Sequence, residues 1–336
     1  MGRIIIVSNR IPVRLEKHRK EIFIRSSEGG LATGLSAIHS QDENLWVGWH
    51  GLPEEDIPST KVKDELLEKI IRKNCIPVSL SRREIREYYD GYSNNAIWPV
   101  FHYFTEYAQF NKNEWETYCE VNKKFAGEIL QYVKPDDTIW IHDYHLMLMP
   151  ALLKKAQPDL KIGFFLHIPF PSFEVFRIIP NREEILEGLL GADLIGFHTE
   201  DYQQYFLESV NRLTKAKINC DSIEFNNHSS KTAAFPMGID FEKFYATAKV
   251  LEKQKKKMHT SFQKEFSRFI KDYPERKTVL SIDRLDYTKG IAQRIRAFNF
   301  FFGEISGIPG KSSACYACRS IAYRCGTIPT AKKGNR

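Results

Sequence analysis

At 336 residues the chain can hold two α/β domains, each with its own core, and 42% hydrophobic with 27% charged residues is the composition of a globular protein. Of the net charge of +7, residues 303–336 supply +5 (six basic residues against Glu304), so the near-neutral body argues against a nucleic-acid or membrane-surface partner. No apolar run is long enough to cross a bilayer and the N-terminus has no cleavage-site pattern, which makes the cytoplasm the expected location.

In chain order the first element is a buried strand over residues 3–8, which ends in Ser8-Asn9-Arg10. A mobile loop is expected next, and then Gly29-Gly30 ahead of a helix that begins near Leu31. Amides at a helix start, approached closely over glycine, suit the oxygens of a phosphorylated sugar or sugar diphosphate. A tight turn is the plainer reading of two glycines, and Arg10 at the strand end favours the anion. Residues 88–99 (YYDGYSNNAIWP) read as an aromatic-rich loop. Sugar rings pack their CH faces on aromatics and need amides and hydroxyls for their own hydroxyls; taken alone, the stretch reads first as a core plug.

A helix over 113–132 precedes a strand over 138–142, which delivers Asp143 between His142 and His145. A carboxylate there can grip sugar hydroxyls through charge-assisted hydrogen bonds, a better fit than a metal cluster. After a helix over 146–156, a strand over 161–167 ends in His167. Helices over 182–190 and 200–213 flank a strand over 193–197. Strands alternating with helices mean a parallel sheet, and such sheets take ligands at the carboxyl ends of their strands, where Arg10, Asp143 and His167 stand.

A domain boundary is expected near residues 235–240, followed by a long charged helix over 241–273 and a strand over 277–282. That strand runs into DRLDYTKG, residues 283–290. Arg284 and Lys289, at a strand-to-helix turn, can hold a departing diphosphate, and no Walker-type loop accompanies them. Cys75, Cys119 and Cys220 are scattered as reduced thiols would be. Cys315 and Cys318 lack the second pair a zinc site needs.

SNR, GGLATG, YSNNAIWP, WIHDYH, GFFLHIPFP and DRLDYTKG occur in one order and spacing. Over residues 3–302 the chain resembles the trehalose-6-phosphate synthase family, retaining glycosyltransferases of family 20 with the two-domain GT-B fold. The resemblance implies an α/β fold with a complete N-terminal Rossmann-like domain, 1–238, and only the start of a C-terminal donor-binding domain, 239–302. It implies transfer of glucose from UDP-glucose to glucose 6-phosphate, giving trehalose 6-phosphate and UDP, with no cofactor, metal or covalent intermediate. By the same resemblance Gly29 and Gly30 contact the donor, and Arg10, Tyr89 and Trp98 shape the glucose 6-phosphate site. Asp143 and His167 would hold the donor glucose, and Arg284 and Lys289 the diphosphate; these four are the implied catalytic set. A homo-oligomer stays open for the full-length enzyme. A glucosylglycerol-phosphate synthase, or a non-catalytic fragment that only binds phosphosugars, is the alternative.

The family pattern stops at Phe302. Residues 303–336 show neither helical nor strand periodicity. Read one base later, codons compatible with this segment can spell EKYPEYLEKV, then LVMLAVPSRTDVEQY and LKKEI, a continuation of the family sequence. The expectation is an out-of-frame, disordered tail, a loosely held segment after about Asp240, and impaired turnover.

Overall fold

The computed structural model describes residues 2–19, 21–27, 29–40, 43–253, 271, 277–304 and 312–319. The chain divides into two compact units, 1–238 and 239–336.

The first unit is built on a nine-stranded sheet and a separate hairpin. Its strands are β1 (Ile4–Arg10), β2 (Val13–His18), β3 (Glu21–Ser26), β4 (Leu45–Trp49), β5 (Cys75–Pro77), β6 (Thr138–His142), β7 (Lys161–Phe165), β8 (Leu194–Phe197), β9 (Lys217–Asn219), β10 (Ser222–Phe225) and β11 (His228–Ala234). The sheet order is β5-β4-β1-β6-β7-β8-β11-β10-β9. Strands β5 through β11 run parallel, and β10 and β9 close one edge antiparallel. Order reverses at β1: the chain first builds outward to β4 and β5, then returns to place β6 on the other side. The crevice between the carboxyl ends of β1 and β6 is therefore the sheet's switch point.

A parallel strand is covered on both faces and so reads as a continuous apolar run. Ile5, Ile6 and Val7 of β1 are all fully buried. Ile5 and Val7 join a large cluster with Ile139, Ile141, Phe164, Tyr118 and Phe125, while Ile6 joins Trp46, Leu35, Leu66 and Ile70 on the opposite face. The helix Lys112–Ile129 starts at Asn111, whose side chain accepts from Asn113 N–H, and it buries Tyr118, Val121, Phe125 and Ile129 at helical spacing.

Two sequence expectations change here. The segment after Arg10 contains the β2–β3 hairpin, paired from Val13–Ser26 to His18–Glu21, rather than a plain loop. Residues 88–99, expected as an aromatic loop, are helical instead: all but the last two belong to a thirteen-residue π-helix, Ile85–Ile97, entered through a capping box on Ser81 and Glu84. Its turns bury Tyr88, Gly91, Tyr92, Ser93, Ala96 and Ile97. Gly91, Asn94 and Asn95 are poor helix formers, so packing of Tyr92 on Trp115 and Tyr118, at 4.9 and 5.1 Å between ring centroids, decides the conformation.

In the second unit a helix, Phe241–Lys253, is described, and most of the expected 241–273 helix lies outside the described residues. Strand β12 (Lys277–Arg284), a turn at Tyr287–Lys289, a helix, Ile291–Glu304, and strand β13 (Ser312–Arg319) follow. β13 pairs parallel with β12 along its whole length. That corrects the reading of residues 303–336 as free of strand: a parallel strand need not alternate, so absent periodicity was a poor guide. Residues 305–311 and 320–336 lie outside the described residues.

Candidate active site

Arg10 closes β1, and its guanidinium lies 3.9 Å from the ring centroid of Trp49 and 5.7 Å from that of Tyr89. Gly51, at φ 95°, makes room for it: a Cβ there would stand 2.3 Å from Arg10 Nη1. Tyr89 in turn stacks on His145 at 5.6 Å and 10° between planes. The π-helix is tied to the strand ends by two phenols, since Tyr88 donates to Asn9 Oδ1 at 3.1 Å and Tyr144 to Asn94 Oδ1 at 2.8 Å. Trp98 packs 5.6 Å from Tyr144, next to Asp143.

Asp143 follows β6 at φ 75°, ψ 167°, a region occupied almost only by glycine. Hydrogen bonds hold it there. Its N–H donates to Phe165 O at 2.8 Å, its carbonyl accepts from Leu146 N–H at 3.2 Å, and its Oδ1 accepts from His167 N–H at 3.3 Å. The strained backbone thus links the ends of β6 and β7 and sets the carboxylate beside His167. Strain kept at such a place is characteristic of a working site.

The electrostatics centre on Arg10. Burial and then the Arg10 charge push His50 down to about 4 and His145 down to about 3, so both rings are neutral at neutral pH. Burial raises Asp90 to about 6 against the opposing pull of Arg10. His167 falls to about 4 through burial and then His198. The Arg10 guanidinium, set among neutral imidazoles, is the group here that can attract a sugar phosphate.

Along the sheet face below these strand ends lies a cavity of about 390 Å³, lined among others by Trp140, His142, Phe165, His167, Phe235 and Met237. Gly29 precedes the short helix Gly30–Gly34 in an extended conformation, and a Cβ on Gly29 or Gly30 would meet no described atom within 4 Å. The chain's own packing does not require glycine at either position. Arg284 and Lys289 sit in the second unit, at the end of β12 and in the turn that Asp286 caps by accepting from Thr288 N–H at 2.9 Å. The first unit therefore gathers Arg10, Tyr89, Trp98, Asp143 and His167. Trp49, His50 and Gly51, which floor the Arg10 side, went unread in the sequence, although Trp-His-Gly at the end of an apolar strand is a usable signal. Among the described residues no cluster of His, Cys, Asp or Glu has the makings of a metal site.

The sequence pattern described as glycosyltransferase family 20 matches residues 2–320. The chain belongs to glycosyltransferase family 20. A UDP-forming α,α-trehalose-phosphate synthase of Candida albicans is 42% identical over 309 residues, which cover 90% of this chain and 62% of that protein. The structure of an E. coli trehalose-6-phosphate enzyme bound with UDP-2-fluoro glucose superposes at a TM-score of 0.77 with 29% identity, covering 95% of this chain and 65% of that one. An α,α-trehalose-phosphate synthase from Burkholderia xenovorans in complex with glucose-6-phosphate does so at 0.77 with 28% identity, covering 96% and 68%. The chain thus spans about six tenths of its family-20 relative from Candida. The α/β, GT-B class expected from the sequence is the class of these matches. Among the described residues no helix is long and apolar enough to cross a membrane.

Proposed function

We propose that the chain carries the sugar-holding portion of a retaining glucosyltransferase that moves glucose from UDP-glucose to glucose 6-phosphate, giving trehalose 6-phosphate and UDP. The observation that carries this reading is that Arg10 and Asp143 stand at the carboxyl ends of neighbouring strands, β1 and β6, where the strand order reverses. Arg10, together with Tyr89 and Trp98, would take the acceptor, its guanidinium bidentate on the phosphate. Asp143 and His167 would hold the donor glucose hydroxyls, with Gly29 and Gly30 leaving the donor room to approach. Arg284 and Lys289 would neutralise the diphosphate as the C1–O bond to UDP breaks. The acceptor oxygen bonds to C1 on the same face, and its proton passes to the departing diphosphate oxygen. Positioning and charge stabilisation supply the rate in such a scheme.

Calorimetric titration with glucose 6-phosphate tests the acceptor assignment. Arg10→Lys is expected to weaken binding about tenfold, since an ammonium loses the fork and the stacking. Affinity equal to the parent's would remove Arg10 from the site. Free Cys75, Cys119 and Cys220 fit a reducing compartment, which supports a cytoplasmic location. The frame reading after Phe302 is likewise a proposal, and the DNA sequence across that codon decides it.

A further inference from the structure

His142 ends β6 one residue before Asp143, and its side chain is fully buried. Its Nδ1 lies 2.9 Å from Nε2 of His167, with the ring centroids 5.2 Å apart. Trp140 packs 4.6 Å from the His142 ring. Nε2 of His142 is buried and has no hydrogen-bond partner among the described residues. His167 is itself wedged: Phe165 lies 4.7 Å and His198 5.6 Å from its ring centroid, and Asp143 accepts from its backbone N–H.

Both rings are neutral. Burial, then His167, hold His142 well below its ordinary value, and His167 stands at about 4. Two neutral imidazoles in a nitrogen-to-nitrogen hydrogen bond share one proton, so the contact couples their tautomers. If His142 Nδ1 carries it, His167 Nε2 is bare and the second proton of that pair sits on His167 Nδ1. If His167 Nε2 carries it, His142 must place its own proton on the buried Nε2, as an N–H with nothing to donate to. Orphaned buried N–H groups are rarer than under-satisfied acceptors.

We propose that His142 is a positioning residue for His167. It donates from Nδ1 to His167 Nε2, fixes His167 as the Nδ1–H tautomer, and so makes the nitrogen left for a ligand a donor to a sugar hydroxyl oxygen. The ligand half of this inference rests on the donor-glucose reading of His167 given above; the tautomer half does not.

Long-range ¹H–¹⁵N correlation spectra of the full chain labelled in histidine nitrogen test it at neutral pH, with assignments from the His142→Phe and His167→Phe variants. Both rings are expected to show protonated Nδ1 and bare Nε2. A His167 protonated at Nε2, or exchanging between forms, overturns the proposal. His142→Phe removes the donor and should leave His167 a mixture of tautomers. His142→Asn, whose amide reaches the place of Nδ1, should restore a single form, and it decides the matter should the Phe variant not fold. UDP-glucose affinity by titration is expected to fall about tenfold in His142→Phe and to recover to within about threefold in His142→Asn. Equal affinity in the Phe variant and the parent refutes the positioning role. Failure of the parent to bind UDP-glucose counts against the functional reading alone, and the spectra still decide the tautomer.

Discussion

The backbone of Asp143, at φ 75° and ψ 167°, costs about 1–3 kcal/mol in a non-glycine residue. Asp143→Gly relieves that strain, while Asp143→Ala keeps it and loses the same His167 N–H contact. In urea denaturation the glycine variant is expected to be the more stable of the two by about 1 kcal/mol. An alanine variant as stable as the glycine one would mean that the backbone relaxes freely. The buried rings set a second expectation. His50, His145 and His167 stand near 4, 3 and 4 when folded, against 6.5 for an ordinary imidazole. A depressed base takes its proton first in the unfolded chain. Stability is therefore lost as pH falls below 6.5 toward the folded values, and these groups change nothing above it. Each ring contributes a loss of up to about 2 kcal/mol between pH 6.5 and 5. The urea midpoint should drop between pH 7 and 5, and His145→Phe should make that drop smaller. A slope untouched by the substitution would show that His145 is protonated alike in both states.

Among elements, the π-helix Ile85–Ile97 matters most, because it hands Tyr88 to Asn9 and Asn94 to Tyr144. Tyr88→Phe leaves the buried Asn9 Oδ1 without that donor, at a cost of about 1–3 kcal/mol in thermal or urea unfolding. Loss below the error of the measurement would mean that another donor replaces the phenol. The sequence showed the aromatic and amide chemistry of this stretch but not its shape. Its helix is wide, its residues are poor helix formers, and its stability comes from Trp115 and Tyr118 some twenty residues on. Strands such as Thr138–His142 were legible because an apolar run between polar turns has few other readings. The β2–β3 hairpin was not: the sequence between His18 and Glu21 lacks the Asn-Gly signal that usually marks such a turn.

For the molecule as a whole, both hydrophobic clusters and the entire nine-stranded sheet lie within residues 1–238. Expressed alone, that stretch is expected to melt in one cooperative transition by circular dichroism and to keep its affinity for glucose 6-phosphate. Its affinity for UDP-glucose should fall, because Arg284 and Lys289 are no longer present. Loss of glucose 6-phosphate binding would place part of that site beyond residue 238. The ends of individual strands were visible in the sequence, so Asp143 and His167 stood out. That β1 stands beside β6 was not, because strand order depends on pairings between residues more than a hundred positions apart.

The same stretch holds three cysteines of very different character. Burial pushes the Cys75 thiol up to about 12 and Cys119 to about 11, whereas Cys220 is exposed at the turn between β9 and β10. Thiol reagents attack the thiolate, so the folded fragment offers them one ready sulfur and the unfolded one offers three. Cys75 lies on the outermost parallel strand, opposite Trp46. The rate at which it is alkylated under native conditions therefore times the peeling of β5 from the sheet, a built-in chemical clock for fraying at the edge farthest from β9.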